Sequence, residues 1–130
     1  MSCLTVALLQ LLPGKTLADN LQKGLVACRK ARASGADVAL FPEMWSCGYS
    51  IPEEPEALRS LAIPADGGFI AAFGRLAAEL DMAIGVTLLE RFDPLPRNTL
   101  VLFDRHGQRV LTYAKVHTCD FGDEQRLTPG

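Results

Sequence analysis

Asp37-Val38-Ala39-Leu40-Phe41-Pro42-Glu43 is the stretch on which the reading of this chain turns. Val38 to Phe41 is a short apolar run without polar alternation, the pattern of a strand covered on both faces. Pro42 lacks the N–H that would continue a ladder and pushes the residue before it into an extended conformation, so the strand stops and Glu43 is set down at its C-terminal edge. In layered α/β folds that edge is where catalytic groups collect. Glu43 is thus the first candidate for chemistry, with a solvated loop glutamate as the plain alternative.

Upstream, residues 3–10 read as a first strand closed by Pro13-Gly14. Leu17, Leu21, Leu25 and Cys28 then fall on one face at helical spacing, leaving Lys23, Arg29, Lys30 and Arg32 mostly for solvent. Thr16 with Asp19 resembles a helix-start box, and Ser34-Gly35 ends the helix. Strand–helix–strand with the default right-handed crossover implies parallel pairing of the first two strands. Downstream, residues 44–68 lose periodicity among Gly48, Pro52, Pro55, Pro64, Gly67 and Gly68, with one helical turn around Glu54 to Leu61. A segment so long and irregular reads as a functional loop or lid. The stripe Phe69, Phe73, Leu76, Ala77 and Leu80 predicts a helix over 68–81, followed by a strand over 82–90. Two β-rich runs, 98–103 and 108–113, flank Asp104-Arg105-His106-Gly107 and predict a hairpin, which makes the sheet mixed. That hairpin argues against a small doubly wound binding domain, whose sheet would be wholly parallel.

A chain of 130 residues suffices for one compact domain. With 13 basic against 15 acidic residues there is no cationic footprint for nucleic acid. The N-terminus is apolar but lacks the charged start and cleavage site of a signal peptide, and it is too short to span a bilayer, so no membrane partner is expected. Cys3, Cys28, Cys47 and Cys119 form no paired motif and read as reduced thiols of a cytoplasmic protein.

Lys115, in Tyr113-Ala114-Lys115-Val116-His117, lies just beyond a strand as Glu43 does. If the two strands share a sheet and run the same way, carboxylate and ammonium meet at one rim and each changes the other's ionisation. Trp45 and Tyr49 are candidates to line a pocket there, packing being the equal alternative. His117, Cys119, Asp120, Asp123 and Glu124 invite a metal reading, but the run lacks an established zinc spacing, so a polar substrate-facing loop is preferred and no metal is expected.

Phe41-Pro42-Glu43-Met44-Trp45 with Gly48-Tyr49, Asn98-Thr99, Tyr113-Ala114-Lys115-Val116-His117 and Leu127-Thr128-Pro129-Gly130 occur in an order and spacing that resemble the nitrilase superfamily, the carbon–nitrogen hydrolases, along essentially the whole chain. The resemblance implies an α/β fold, the N-terminal portion of a four-layer α-β-β-α sandwich. It implies hydrolysis of a small amide, carbamoyl compound or nitrile through Cys, Glu and Lys, without cofactor. On it Glu43 matches the general base, Lys115 the group that stabilises the tetrahedral intermediate, and Glu124 the second glutamate, which orients substrate or the lysine; Asp123 competes for that alignment. Trp45, Tyr49 and His117 would then bind substrate.

The family's nucleophile lies in a strand–Cys–helix elbow some tens of residues past the lysine, whereas this sequence ends at Gly130; the resemblance covers only the N-terminal half. Cys47 and Cys119 follow Glu43 and Lys115 by four residues each and are remote substitutes, while Cys3 and Cys28 read as core. The chain, read as truncated, is therefore expected to be inactive alone. Uncovered strand edges and an apolar sheet face would drive it to form a homo-oligomer or to pair with a complementary C-terminal half. The alternative is a non-catalytic interaction module, the relic of a shortened gene.

Overall fold

In the computed structural model, which describes residues 2–119 and 121–130, the capping signal at Thr16 is realised in full. The Thr16 hydroxyl accepts the Asp19 N–H, and the Asp19 carboxylate accepts the Thr16 N–H, so the first turn of helix α1 (Leu17–Ala33) starts with its free donors satisfied. The remaining elements, in chain order around α1, are β1 (Val6–Leu8), β2 (Val38–Leu40), α2 (Pro55–Leu61), α3 (Gly68–Leu80), β3 (Ala83–Glu90), β4 (Arg97–Phe103), β5 (Arg109–Ala114) and a 3-10 turn at Asp123–Arg126. No helix among the described residues is long and apolar enough to cross a membrane.

The five strands form one sheet in the order β1-β2-β3-β4-β5. The first three run parallel, while β3–β4 and β4–β5 are antiparallel, which is the mixed sheet expected from the hairpin and rules out the wholly parallel alternative. One face carries Ala39, Ile84, Val86, Leu88, Val101 and Phe103 and is buried under α1 and α3, where Phe73, with Phe69 stacked edge-on behind it, meets Phe41 just past the end of β2. This core seats α1 closer than a leucine stripe would allow. The buried positions of α1 are Asn20, Gly24, Ala27, Cys28 and Ala31, with Leu21 and Leu25 half-buried and Leu17 exposed, which corrects the stripe expected from spacing. The reason is steric: a Cβ on Gly24 would sit 2.8 Å from the Phe73 ring, so small residues line the contact and the leucines flank it.

The opposite face is a second correction. Val38 and Leu40 are only half-buried, because β2 is covered on one side and not both. The pairing registers align Leu8, Leu40, Gly85, Leu102 and Leu111 in a row across all five strands, flanked by Val6 and Tyr113, and Leu8 is 64% exposed. Only the end of this face nearest Glu43 is covered. There Met44, Ile51, Leu58, Ala62, Leu89 and Leu127 form a small separate core. Residues 44–68 are thus partly core rather than a free lid, since a loop crossing an apolar strand end buries what it can.

Candidate active site

Because β5 is antiparallel to β4 and β4 to β3, β5 runs in the same direction as β2, and their C-terminal ends share one rim. Glu43 leaves β2 at that rim and Lys115 leaves β5 there. The chain after Glu43 is pinned across β3: Trp45 N–H donates to Thr87 Oγ1 at 2.9 Å, the Thr87 hydroxyl donates to the Pro42 carbonyl, and Leu89 N–H donates to Ser46 Oγ at 3.0 Å. Met44 adopts the left-handed region (φ 51) with its side chain fully buried, and this turn presents Glu43 toward the hairpin. Lys115 is fixed by extension of the β4–β5 ladder, its N–H donating to the Asn98 carbonyl at 2.8 Å while its own carbonyl accepts Gly130 N–H at 2.9 Å.

The third charged group arrives from the end of the chain. Thr128 N–H donates to the Pro96 carbonyl at 2.9 Å and Leu127 plugs the small core, so the 3-10 turn holds Glu124 inside, 2% exposed. Lys115 Nζ lies 2.9 Å from Glu43 Oε1 and 2.9 and 3.0 Å from the two oxygens of Glu124. Glu124 also accepts the Tyr49 hydroxyl at 3.0 Å and the Cys119 backbone N–H at 2.9 Å. Asn98 Nδ2 donates to Glu43 Oε1 at 2.6 Å. Asp123, the competing position, points away and pairs with Arg126 at 2.8 Å.

These contacts set the ionisation. Burial pushes the Glu124 carboxyl up, but the Cys119 N–H, the Lys115 ammonium and the Tyr49 hydroxyl outweigh it and hold it at about 2. Glu43 first and then Glu124 raise Lys115 above its ordinary value. Burial, followed by the neighbouring Glu124, pushes Tyr49 up to about 12. At neutral pH the cluster therefore holds a permanent ammonium and a permanent acceptor at Glu124. Lys115 is available to bind a developing negative charge, and Glu124 is not a proton donor.

The other candidates divide. Tyr49 joins the cluster through its hydroxyl. Trp45 does not: it is 1% exposed, donates from Nε1 to the Asn20 carbonyl at 2.9 Å and packs on Phe41, so it is a core residue and not a pocket wall. His117 is exposed and makes no hydrogen bond among the described residues. Of the cysteines, Cys28 is buried in the helix-side core, where desolvation pushes its thiol up to about 12. Cys47 is half-buried against the Met44 carbonyl, and burial raises it. Cys3, expected in the core, is instead exposed and lies by Asp37 and Asp81 at the opposite rim, because the chain before β1 runs along the sheet edge outside the helix-side core. Only Cys119, exposed, touches the cluster, and it does so through its backbone. Of the suggested metal ligands Asp120 lies outside the described residues, and no group of three suited to a metal occurs among the described ones. Asn98 is the member that sequence reading missed as a side-chain partner; its place opposite Lys115 in the hairpin register was the available signal.

The family model for carbon–nitrogen hydrolases matches residues 5–129. A hydrolase of Mycobacterium tuberculosis is 29% identical over 135 residues, which cover 96% of this chain and 45% of the relative. Among solved structures, a CN-hydrolase superfamily protein of Xanthomonas campestris, with an arsenic adduct in its active site, is 27% identical with TM-score 0.81, covering all of this chain and 47% of that one. A variant of the amidase from Nesterenkonia AN1, of the nitrilase superfamily, matches with TM-score 0.79 at 23% identity over 98% of this chain and 48% of its own. The chain spans about half the length of the relatives it matches.

Proposed function

This chain belongs to the carbon–nitrogen hydrolase family, and from that premise we propose that it supplies the acid–base half of an active site that hydrolyses a non-peptide carbon–nitrogen bond in a small amide, carbamoyl compound or nitrile. One observation carries the reading: Lys115 Nζ stands 2.9 Å from both Glu43 and Glu124 at a single rim. Glu43, the more exposed carboxylate, is the general base. It takes the proton of an attacking thiol and, for an amide or carbamoyl group, returns it to the amine that leaves as the carbon–nitrogen bond breaks; it then takes a proton from the water that displaces the acyl group from sulfur and gives that proton back to the thiolate. Lys115 faces the oxygen that becomes negative as the thiolate adds, and the low-lying Glu124 keeps the ammonium charged and aimed. Tyr49 steadies Glu124 and borders the substrate, as His117 does from the exposed side.

On this reading the acylating thiol is supplied by another segment, with Cys119, whose backbone touches the cluster, as the alternative. Leu8, Leu40, Leu102 and Leu111 favour an apolar sheet of a complementary C-terminal half as its carrier, a second copy being able to cover the same face without adding a new thiol. Free thiols suit the cytoplasm. The test is ammonia release from a panel of small amides by the chain alone and by the chain fused to the C-terminal half of a relative. Turnover by the fusion only is the expected result. Turnover by the chain alone that disappears in Cys119→Ser would instead make Cys119 the nucleophile.

A further inference from the structure

Asn98 touches both reactive partners at once. Its backbone carbonyl accepts the Lys115 N–H at 2.8 Å, and its side-chain amide donates to Glu43 Oε1 at 2.6 Å. The residue is 6% exposed and sits directly opposite Leu89 on β3, so neither its main chain nor its side chain has room to drift. Two groups 72 positions apart are thereby referred to one strand position.

The consequence is an asymmetry within the Glu43 carboxylate. Oε1 receives two donors, the Asn98 amide and the Lys115 ammonium, which matches in number the two lone pairs of an sp² oxygen. Among the described residues no donor reaches Oε2. Rotating the carboxylate to exchange its oxygens would break both bonds, so one oxygen is tied to the protein and the other is left to face incoming molecules.

We propose that Asn98 is a positioning residue that commits Glu43 to accept the thiol proton through Oε2. The proposal rests on Glu43 being the base. A base must stand within about 2.6–3.2 Å of the proton it removes. Misplacement by roughly 1 Å costs on the order of 100-fold in rate. Asn98 therefore acts on kcat, through Glu43, without touching substrate.

Two readouts test it. In crystals of the 130-residue chain, Asn98→Leu removes the donor at nearly constant volume, and Asn98→Asp replaces it with an acceptor that repels Glu43. In both, the Lys115–Glu124 pair is expected to stay at its present spacing while Glu43 leaves Lys115 or populates more than one rotamer. Glu43 keeping one conformer with Oε1 on Lys115 in either variant overturns the proposal, and Asn98→Asp carries this arm if Asn98→Leu does not fold. In the fusion that restores turnover, Asn98→Leu is expected to lower kcat on the order of 100-fold with KM within about twofold, and Asn98→Gln to recover part of the loss. An unchanged kcat refutes the positioning role. A wild-type fusion without amide turnover refutes the hydrolase reading instead, and the crystals still decide whether Asn98 holds Glu43.

Discussion

Replacing Lys115 by Met keeps the length of the side chain and removes the charge that two carboxylates share. Glu124 is nearly inaccessible, and its displacement from 4.5 to about 2 corresponds to about 3 kcal/mol of interaction favouring the ionised form. Three donors provide that energy, and the Cys119 N–H and Tyr49 hydroxyl survive the substitution. Lys115 and Glu43 are 31% and 44% exposed, so solvent screens their part. The expected cost is about 2 kcal/mol at pH 7, below the roughly 3–5 kcal/mol of a fully buried broken pair. The pH dependence is diagnostic. A carboxyl held low when folded stabilises the protein above its unfolded value, and that stability is lost as pH falls from about 4.5 toward 2. Lys115, held high, contributes fully below its ordinary 10.5 and loses that contribution only as pH rises past it. The gap between wild type and Lys115→Met should therefore be widest between these limits, narrow measurably by pH 3 and close only as pH approaches 2. Urea unfolding followed by fluorescence of Trp45, the single and buried tryptophan, at pH 7, 5 and 3 measures it. A gap below about 0.5 kcal/mol at pH 7, or one that stays constant down to pH 3, would refute the shared-charge account.

Tyr49→Phe deletes one donor to Glu124, so the acid limb of the stability curve should move to higher pH, with a loss of about 1 kcal/mol at neutrality; an unmoved limb in the same titration counts against the bond. Gly74→Leu should destabilise by about 1–3 kcal/mol, because a Cβ there would meet the Phe103 ring at 2.8 Å, and an unchanged urea midpoint would show that α3 can back away from the sheet. Leu102→Lys, in the middle of the exposed apolar row, should leave the helix-side core intact and reduce self-association in sedimentation; oligomers that persist unchanged would place the contact elsewhere.

The sheet and its helices were largely legible because their signals are local. Thr16 and Asp19 mark a helix start whatever lies around them, and Pro42 stops a strand on its own. Asp104 and Gly107 likewise enforce the hairpin: Asp104 accepts two backbone N–H groups, and Gly107 takes φ 79, a conformation that glycine tolerates. The convergence of Glu43 with Lys115 followed from strand direction alone. What could not be read was set by contacts between distant segments. Trp45 looks like a pocket aromatic until the Asn20 carbonyl takes its N–H. Leucines on α1 look like its buried face until Gly24 brings the helix so close that small residues must fill the contact. The choice of Glu124 over Asp123 depends on Leu127 and Thr128 anchoring the turn, which periodicity does not report.

The most direct measurement is the rate of ammonia release from a small amide by the fusion of this chain to a cysteine-bearing half, compared between Glu43 and Glu43→Gln. The rim cluster as described predicts that the glutamine variant binds substrate as before and loses on the order of 100- to 10,000-fold in kcat. A variant that retains its rate within tenfold would show that the carboxylate beside Lys115 and Asn98 is not the base.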